Sequence, residues 1–358
     1  MVNSFHSFKK NSLCALTFII TWVVALSFFN LGCQSNDNHC ADCAQDSLFF
    51  RTPFYFPPIS FPADNFPTEC RVELGKKLFH DPQLSADGRA SCSSCHALMG
   101  AFTDGQPESS GHLQQKLTRN TPTLFNVAWQ PHLMAEGGVK NLEQQALAPL
   151  LSEHEMFNST QGLPEALLNN ECYQQLSRKA YQRELDYFVI VRALACYERS
   201  LISHDTPFDH QFYFKKNTLS PEAERGWKLF QSEKLACIQC HALPFFTDFG
   251  FHAIGVADSV DQGKERESYQ IKNRFQFKTP TLRNIELTGP YMHNGSLRTL
   301  EEVVAFYNRG GDWHPANQDK RIKPLGLTDE EKKDLVIFLE SLTDWNAVQN
   351  QSYLPLKR

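Results

Sequence analysis

The chain has 358 residues, 41% of them hydrophobic, with 35 Lys and Arg against 40 Asp and Glu and a formal net charge of −5. That length and apolar share support two globular domains of ordinary size, each with its own core. The acidic balance and the lack of a basic stripe exclude nucleic acid as a partner.

At the N-terminus, Lys9 and Lys10 precede a continuous apolar run from Leu13 to Phe29. A basic start followed by an apolar core predicts an export signal. A retained membrane anchor is the alternative, although the run is at the short limit for a span. "NLGC", ending at Cys33, resembles a bacterial lipobox, with Asn30 where leucine is usual. Residues 1–33 are therefore expected to direct the chain to the periplasm, with membrane contact only through a lipid or signal anchor. In that oxidising compartment, structural disulfides are expected among Cys40, Cys43, Cys70, Cys172 and Cys196, with the pairing open. Residues 34–68 are rich in Pro and Phe without helical period. They predict an extended lead-in on the domain surface, with folded structure beginning near Glu69.

From there the chain repeats itself. "VELGKKLFHDPQLSADGRASCSSCHAL" (72–98) is similar to "AERGWKLFQSEKLACIQCHAL" (223–243). "TPTLFN" at Thr121 matches "TPTLRN" at Thr279, and the same shift of 158 residues sets Gly137 on Gly295. Self-similarity over this length predicts two copies of one domain, at 69–215 and 216–358. Amphipathic helices over Arg183–Ser203 and Leu327–Thr343 should close the two cores, the second opened by a Thr328/Glu331 capping box, with further helix over Ser159–Tyr181. Alternating β-branched runs are scarce, so the fold class is mainly α.

Each copy carries a CxxCH motif: Cys92, Cys95 and His96 in the first, Cys237, Cys240 and His241 in the second. This is the pattern of c-type haem attachment. The cysteines add to the two vinyl groups along one porphyrin edge, and the adjoining histidine lies beneath the iron as proximal ligand. A redox CxxC needs no histidine and belongs in a βαβ setting, and a zinc site would need a further ligand at compatible spacing. Two tandem cytochrome c-like domains, each with one covalent haem, are the expected architecture.

The opposite face of each iron decides function, because a second strong ligand makes an electron carrier and an open face binds a small oxidant. Under the 158-residue shift, Tyr307 falls on Pro149. Tyrosine can ligate ferric iron and proline cannot, so one haem reads as closed and the other as open. Tyr307 could instead be a core aromatic. Met292 is a rival ligand, although its repeat partner Met134 argues for a packing role. His112, sixteen residues past His96, is a candidate resting-state cap on the first iron. Glu155 is the candidate for moving a proton between peroxide oxygens, and Gln145 for orienting the peroxide. Both could otherwise lie on a solvated helix face.

With those residues assembled, the chain resembles the bacterial di-haem cytochrome c peroxidase and MauG superfamily over about Glu69 to Asp344. The resemblance is carried by "ELGKKLFHDPQLS", "CSSCH", "RNTPTL", "NLEQQALAPL" and "TPTLRNIELTGPYMHNGSLRTLEEVV". It implies that His96 holds a peroxidatic haem and His241 an electron-supplying one. It also implies a displaceable distal role for His112, and distal Gln and Glu roles for Gln145 and Glu155. A calcium ion between the domains would be held at Asn120, Thr288 and Pro290. Tyr307 stands where peroxidases have Met and the MauG branch has Tyr. Ala135 stands where the family places an inter-haem Trp, with Trp129 nearby. "CYERSLISHDTPFD" looks like lipoprotein-type MauG relatives.

The expected activity is reduction of hydrogen peroxide at the His96 haem. Electrons would come through the His241 haem from a small donor protein, a cytochrome c or cupredoxin, or from a protein substrate. The alternatives are a non-catalytic di-haem electron carrier and a peroxide sensor. A homodimer is left open.

Overall fold

The computed structural model describes residues 50–157 and 165–355. The export signal, the Cys33 lipobox and the pair Cys40 and Cys43 lie outside the described residues. Among those described, no helix is long and apolar enough to cross a membrane.

The protein is mainly helical. In chain order its main helices are α1 (Glu69–Phe79), α2 (Leu142–Leu151), α3 (Glu171–Tyr181), α4 (Tyr187–Arg199), α5 (Pro207–Phe212), α6 (Pro221–Phe230), α7 (Leu300–Arg309) and α8 (Asp329–Glu340). A two-stranded antiparallel ribbon pairs Phe251 with Lys278 and His252 with Phe277.

Each copy of the repeat is built on one helix crossing, α1 on α4 and α6 on α8. Both crossings centre on a glycine. A Cβ on Gly75 would sit 1.9 Å from the Ala193 carbonyl oxygen and 2.9 Å from Tyr197 Cβ. One on Gly226 would sit 2.1 Å from the Asp334 carbonyl oxygen and 2.7 Å from Phe338 Cβ. Backbone meets backbone there, which any side chain would prevent. Phe79 packs on Tyr197 and Phe230 on Phe338, each with ring centroids 5.1 Å apart.

Between the crossings the 158-residue register holds in three dimensions. Asn126 and Asn284 both take left-handed backbone, as do Met134 and Met292. Leu133 bridges Val139 where Tyr291 bridges Leu297. Asn141 caps α2 through the Gln144 amide, and Thr299 caps α7 through the Glu302 amide. Thr328 and Glu331 form the expected capping box on α8.

The lead-in makes deeper contacts than a surface strap, and folded structure starts well before Glu69. Phe56 is 5% exposed and packs with Ile202 and Phe245, with Trp129 alongside. Tyr55 stacks on Tyr213 at 3.7 Å. Asn65, fully buried, donates to Glu143 and to the Arg192 carbonyl and accepts from Tyr181. These contacts depend on tertiary neighbours that an aperiodic Pro/Phe segment does not announce.

The cysteine expectation is corrected in part. Cys70 is disulfide-bonded, but Cys196 is a free thiol. Cys196 is buried on α4, where its sulfur lies 3.4 Å from Asn65 Oδ1 and 4.0 Å from the Tyr181 hydroxyl.

Candidate active site

The two CxxCH segments fold as tight turns that deliver their histidines in the same way. Cys92–Cys95 is a single helical turn opened by a Ser91/Ser94 capping box. Cys237–Gln239 is a 3₁₀ turn, and in both the histidine amide donates to the first cysteine carbonyl at 2.9 Å. His96 Nδ1 donates to the Phe102 carbonyl at 2.9 Å, and His241 Nδ1 to the Phe246 carbonyl at 3.0 Å. With the proton fixed on Nδ1, each Nε2 is left as the basic atom, as an axial haem ligand requires. Burial lowers the pKa of both rings and so favours the neutral, ligating form. The loops bearing those carbonyls are clamped alike. Thr123 Oγ1 donates to the Ala101 carbonyl and Thr281 Oγ1 to the Phe245 carbonyl, both at 2.6 Å. Paired thiols beside a pre-oriented imidazole in each copy fit one covalently attached haem apiece.

In each copy a capped helix follows the CxxCH turn along the chain, α2 in the first and α7 in the second. Their shared capping geometry puts Pro149 and Tyr307 at the same helical position. Tyr307 is part-buried, and its hydroxyl has no hydrogen-bond partner among the described residues. Burial raises its pKa, with Cys237 and Cys240 adding to the shift, so the phenol faces the second CxxCH turn. At Pro149 no side-chain donor exists. Gln145 is one turn earlier on α2, so it shares a face with Pro149, and its amide is uncommitted among the described residues.

After α2 the chain turns back, with the Met156 amide donating to the Pro149 carbonyl at 3.2 Å. That turn brings Glu155 beside the first haem-binding segment, where its charge reaches both Cys92 and Cys95. Burial raises the Glu155 pKa, offset only in part by His154. His112 is joined to this acid through the backbone, its amide donating to the Glu155 carbonyl at 2.7 Å. Its ring lies 3.4 Å from Asp87 Oδ2 at ion-pair range, with Nδ1 lacking a hydrogen bond among the described residues, and leans on Phe157 at 4.9 Å. A cavity of about 270 Å³, lined by Asp87, Arg89, Ser94, Ser110 and Gly111, opens beside the ring.

Met292 occupies the left-handed turn position that Met134 holds in the first copy. A shared turn role accounts for both residues without ligation. The residues suggested for calcium lie where the two copies touch. Asn120 donates through its backbone and side-chain nitrogens to the His293 and Gln106 carbonyls, each at 2.8 Å. Thr288 Oγ1 donates to the Ile285 carbonyl at 3.4 Å, and Pro290 follows a cis peptide bond.

Ala135 borders Lys278, whose backbone amide donates to the Ala135 carbonyl at 3.0 Å and whose ammonium reaches Gln130 and the His132 carbonyl. Trp129 is the aromatic bridge between the copies. It lies 5.0 Å from Phe245 and 5.2 Å from Phe56, and its indole donates to the Pro57 carbonyl. Sequence reading missed this cluster and the ion pairs around His252. That ring sits between Asp248 and Asp319, each at 2.9 Å, with Arg321 alongside. Cys240, Asp248 and His252 form the one potential metal-binding cluster among the described residues, but a haem thioether would consume the sulfur.

Comparison with known proteins agrees with this geometry. Residues 69–218 match the family model described as di-haem cytochrome c peroxidase. The chain is 33% identical over 349 residues to the methylamine utilization protein MauG of Methylorubrum extorquens, covering 94% of this chain and 98% of that one. It is 36% identical over 326 residues to the cytochrome-c peroxidase IdrP1 of Denitromonas iodatirespirans, covering 80% of this chain and 85% of the relative. Among solved structures, a MauG-like protein associated with microbial copper homeostasis matches with TM-score 0.80 and 31% identity, over 86% of this chain and 99% of that one.

Proposed function

This chain belongs to the di-haem cytochrome c peroxidase and MauG family and is a peroxidase-like di-haem oxidoreductase, and we propose that it reduces hydrogen peroxide at the haem held by Cys92, Cys95 and His96. The observation that carries this reading is the pairing of Pro149 with Tyr307. Proline leaves the first haem face open, while the uncommitted Tyr307 hydroxyl is available to close the second.

Bound at the first turn, haem would supply the iron that receives peroxide and passes electrons to it. The chain's own residues supply the rest. Glu155 takes the proton from one peroxide oxygen and returns it to the other, and Gln145 orients the molecule by hydrogen bonding. Two electrons and two protons convert the peroxide to two waters. The Trp129–Phe245 contact, rather than position 135, offers the aromatic route between the copies. Tyr307 favours a MauG-like enzyme that draws electrons from a protein substrate. His112, beside an open cavity, favours a peroxidase served by a small cytochrome c or cupredoxin. Export to the periplasm, lipid attachment at Cys33 and calcium at Asn120, Thr288 and Pro290 complete the reading on sequence grounds.

Supplying the haem-loaded protein with peroxide and a reduced small redox protein tests it. Peroxide-dependent donor oxidation, or donor-free peroxide reaction followed by oxidation of a protein side chain, supports the assignment. Inertness to peroxide in both the oxidised and the half-reduced protein would leave an electron carrier.

A further inference from the structure

Glu198, near the end of α4, is 5% exposed, and its Oε2 has no hydrogen-bond partner among the described residues. An orphaned buried carboxyl is expensive when ionised and is rarely kept without use. Its one neighbouring cation is already engaged, because Arg199 pairs with both Glu143 oxygens from α2 at 2.7 and 2.9 Å. The other groups facing it are Tyr197, which donates to the Tyr353 carbonyl, and Cys92 of the haem-binding turn, which feels its charge. From α1, Glu73 acts on Tyr197 and pairs with Lys76. Among the described residues, no group offers Glu198 a countercharge of its own.

The second copy provides an internal control. The glycine crossings set Tyr197 on Phe338, which places Leu339, 7% exposed, at the Glu198 position. The position beside the first CxxCH turn therefore carries a carboxyl and its counterpart beside the second a hydrocarbon.

We propose that Glu198 is a proton-exchanging partner of the N-terminal haem, holding its proton while the iron is reduced and releasing it to solvent when an electron leaves for the oxidant, peroxide in turnover or a mediator in titration. One electron and one proton depart together. The geometry is reinforced by burial, which pushes the Glu198 carboxyl up to about 8 before any haem charge acts on it. The inference rests on haems being carried at both CxxCH turns.

The test is a potentiometric titration of the di-haem protein from pH 6 to 9, with the two haems resolved spectrally. The N-terminal midpoint should fall with pH, by up to about 59 mV for each tenfold drop in proton concentration. The C-terminal haem, faced by Leu339, should be flat by comparison. Glu198→Gln should flatten the N-terminal slope. A flat wild-type slope, or an equal slope in Glu198→Gln, would overturn the proposal, as would loss of the slope in Glu155→Gln alone. If Glu198→Gln takes up haem poorly, Glu198→Leu carries the second copy's own residue and is read identically. Redox-difference infrared spectroscopy of the wild type should lose a protonated-carboxyl band on oxidation, and its absence overturns the assignment without any variant. Missing haem mass on either CxxCH peptide would instead defeat the attachment reading itself.

Discussion

Pro149 and Tyr307 stand 158 residues apart and occupy the same position on matching helices, each capped by a side chain accepting from the amide three residues on. One sequence repeat thus carries an inert ring at this helical position in its first copy and a phenol, facing the second CxxCH turn, in its second. The proposed function places the asymmetry between the two haem sites in this pair.

Exchanging the phenol should change the second haem alone. Tyr307→Met should raise its reduction potential by a sizeable part of the ~0.8 V range that axial ligands command. Tyr307→Phe should turn its ferric signal from low to high spin. Spectrally resolved redox titration and EPR check both, and an unchanged potential in Tyr307→Met would remove Tyr307 from the ligand set.

Glu155→Gln should lower peroxide turnover by about 10²–10⁴-fold while leaving the ferric spectrum intact. The pH profile carries a sign. Burial raises the Glu155 pKa, so the ionised form that accepts the peroxide proton is lost as pH falls through a value above the ordinary ~4.3. The acidic limb of kcat/KM should therefore lie above that value in the wild type and vanish in the variant.

Gly75→Ala and Gly226→Ala should each destabilise their copy, by about 3 kcal/mol or more. The added Cβ meets backbone carbonyls at 1.9 and 2.1 Å, which cannot rotate away as a side-chain tip could. Denaturant titration monitored at the haem of the affected copy measures the loss.

Asp209→Ala should cost about 3–5 kcal/mol, because it strands a buried guanidinium. Arg283 is 1% exposed and donates to both Asp209 oxygens at 2.7 and 2.8 Å. The same carboxylate accepts from the Thr206 amide at the start of α5. Chemical unfolding of the variant, with Asp209→Asn retaining part of the network, checks the assignment.

What could be read from the sequence was whatever local chemistry dictates. CxxCH spacing and the Thr328 cap position each work within a turn or two, so they survive as pattern, whereas the crossing glycines Gly75 and Gly226 show their role only against partners more than about a hundred residues away. The 158-residue register carried this reading into space through Asn126 and Asn284, and Met134 and Met292. Contacts made across long separations left no such trace. Phe56 is buried only because Ile202 and Phe245 converge on it. Cys196 was expected in a disulfide from compartment alone, while the α4 packing surrounds it with Asn65 and Tyr181. Nothing local to Glu198 in the sequence shows that Arg199 is taken by Glu143.

The most direct measurement is the EPR and optical spectrum of the ferric di-haem protein before and after hydrogen peroxide. One high-spin signal from the Pro149 side and one low-spin signal from the Tyr307 side, with the high-spin signal consumed by peroxide, is the predicted result. Two low-spin signals that peroxide leaves unchanged, even after one-electron reduction, would contradict it.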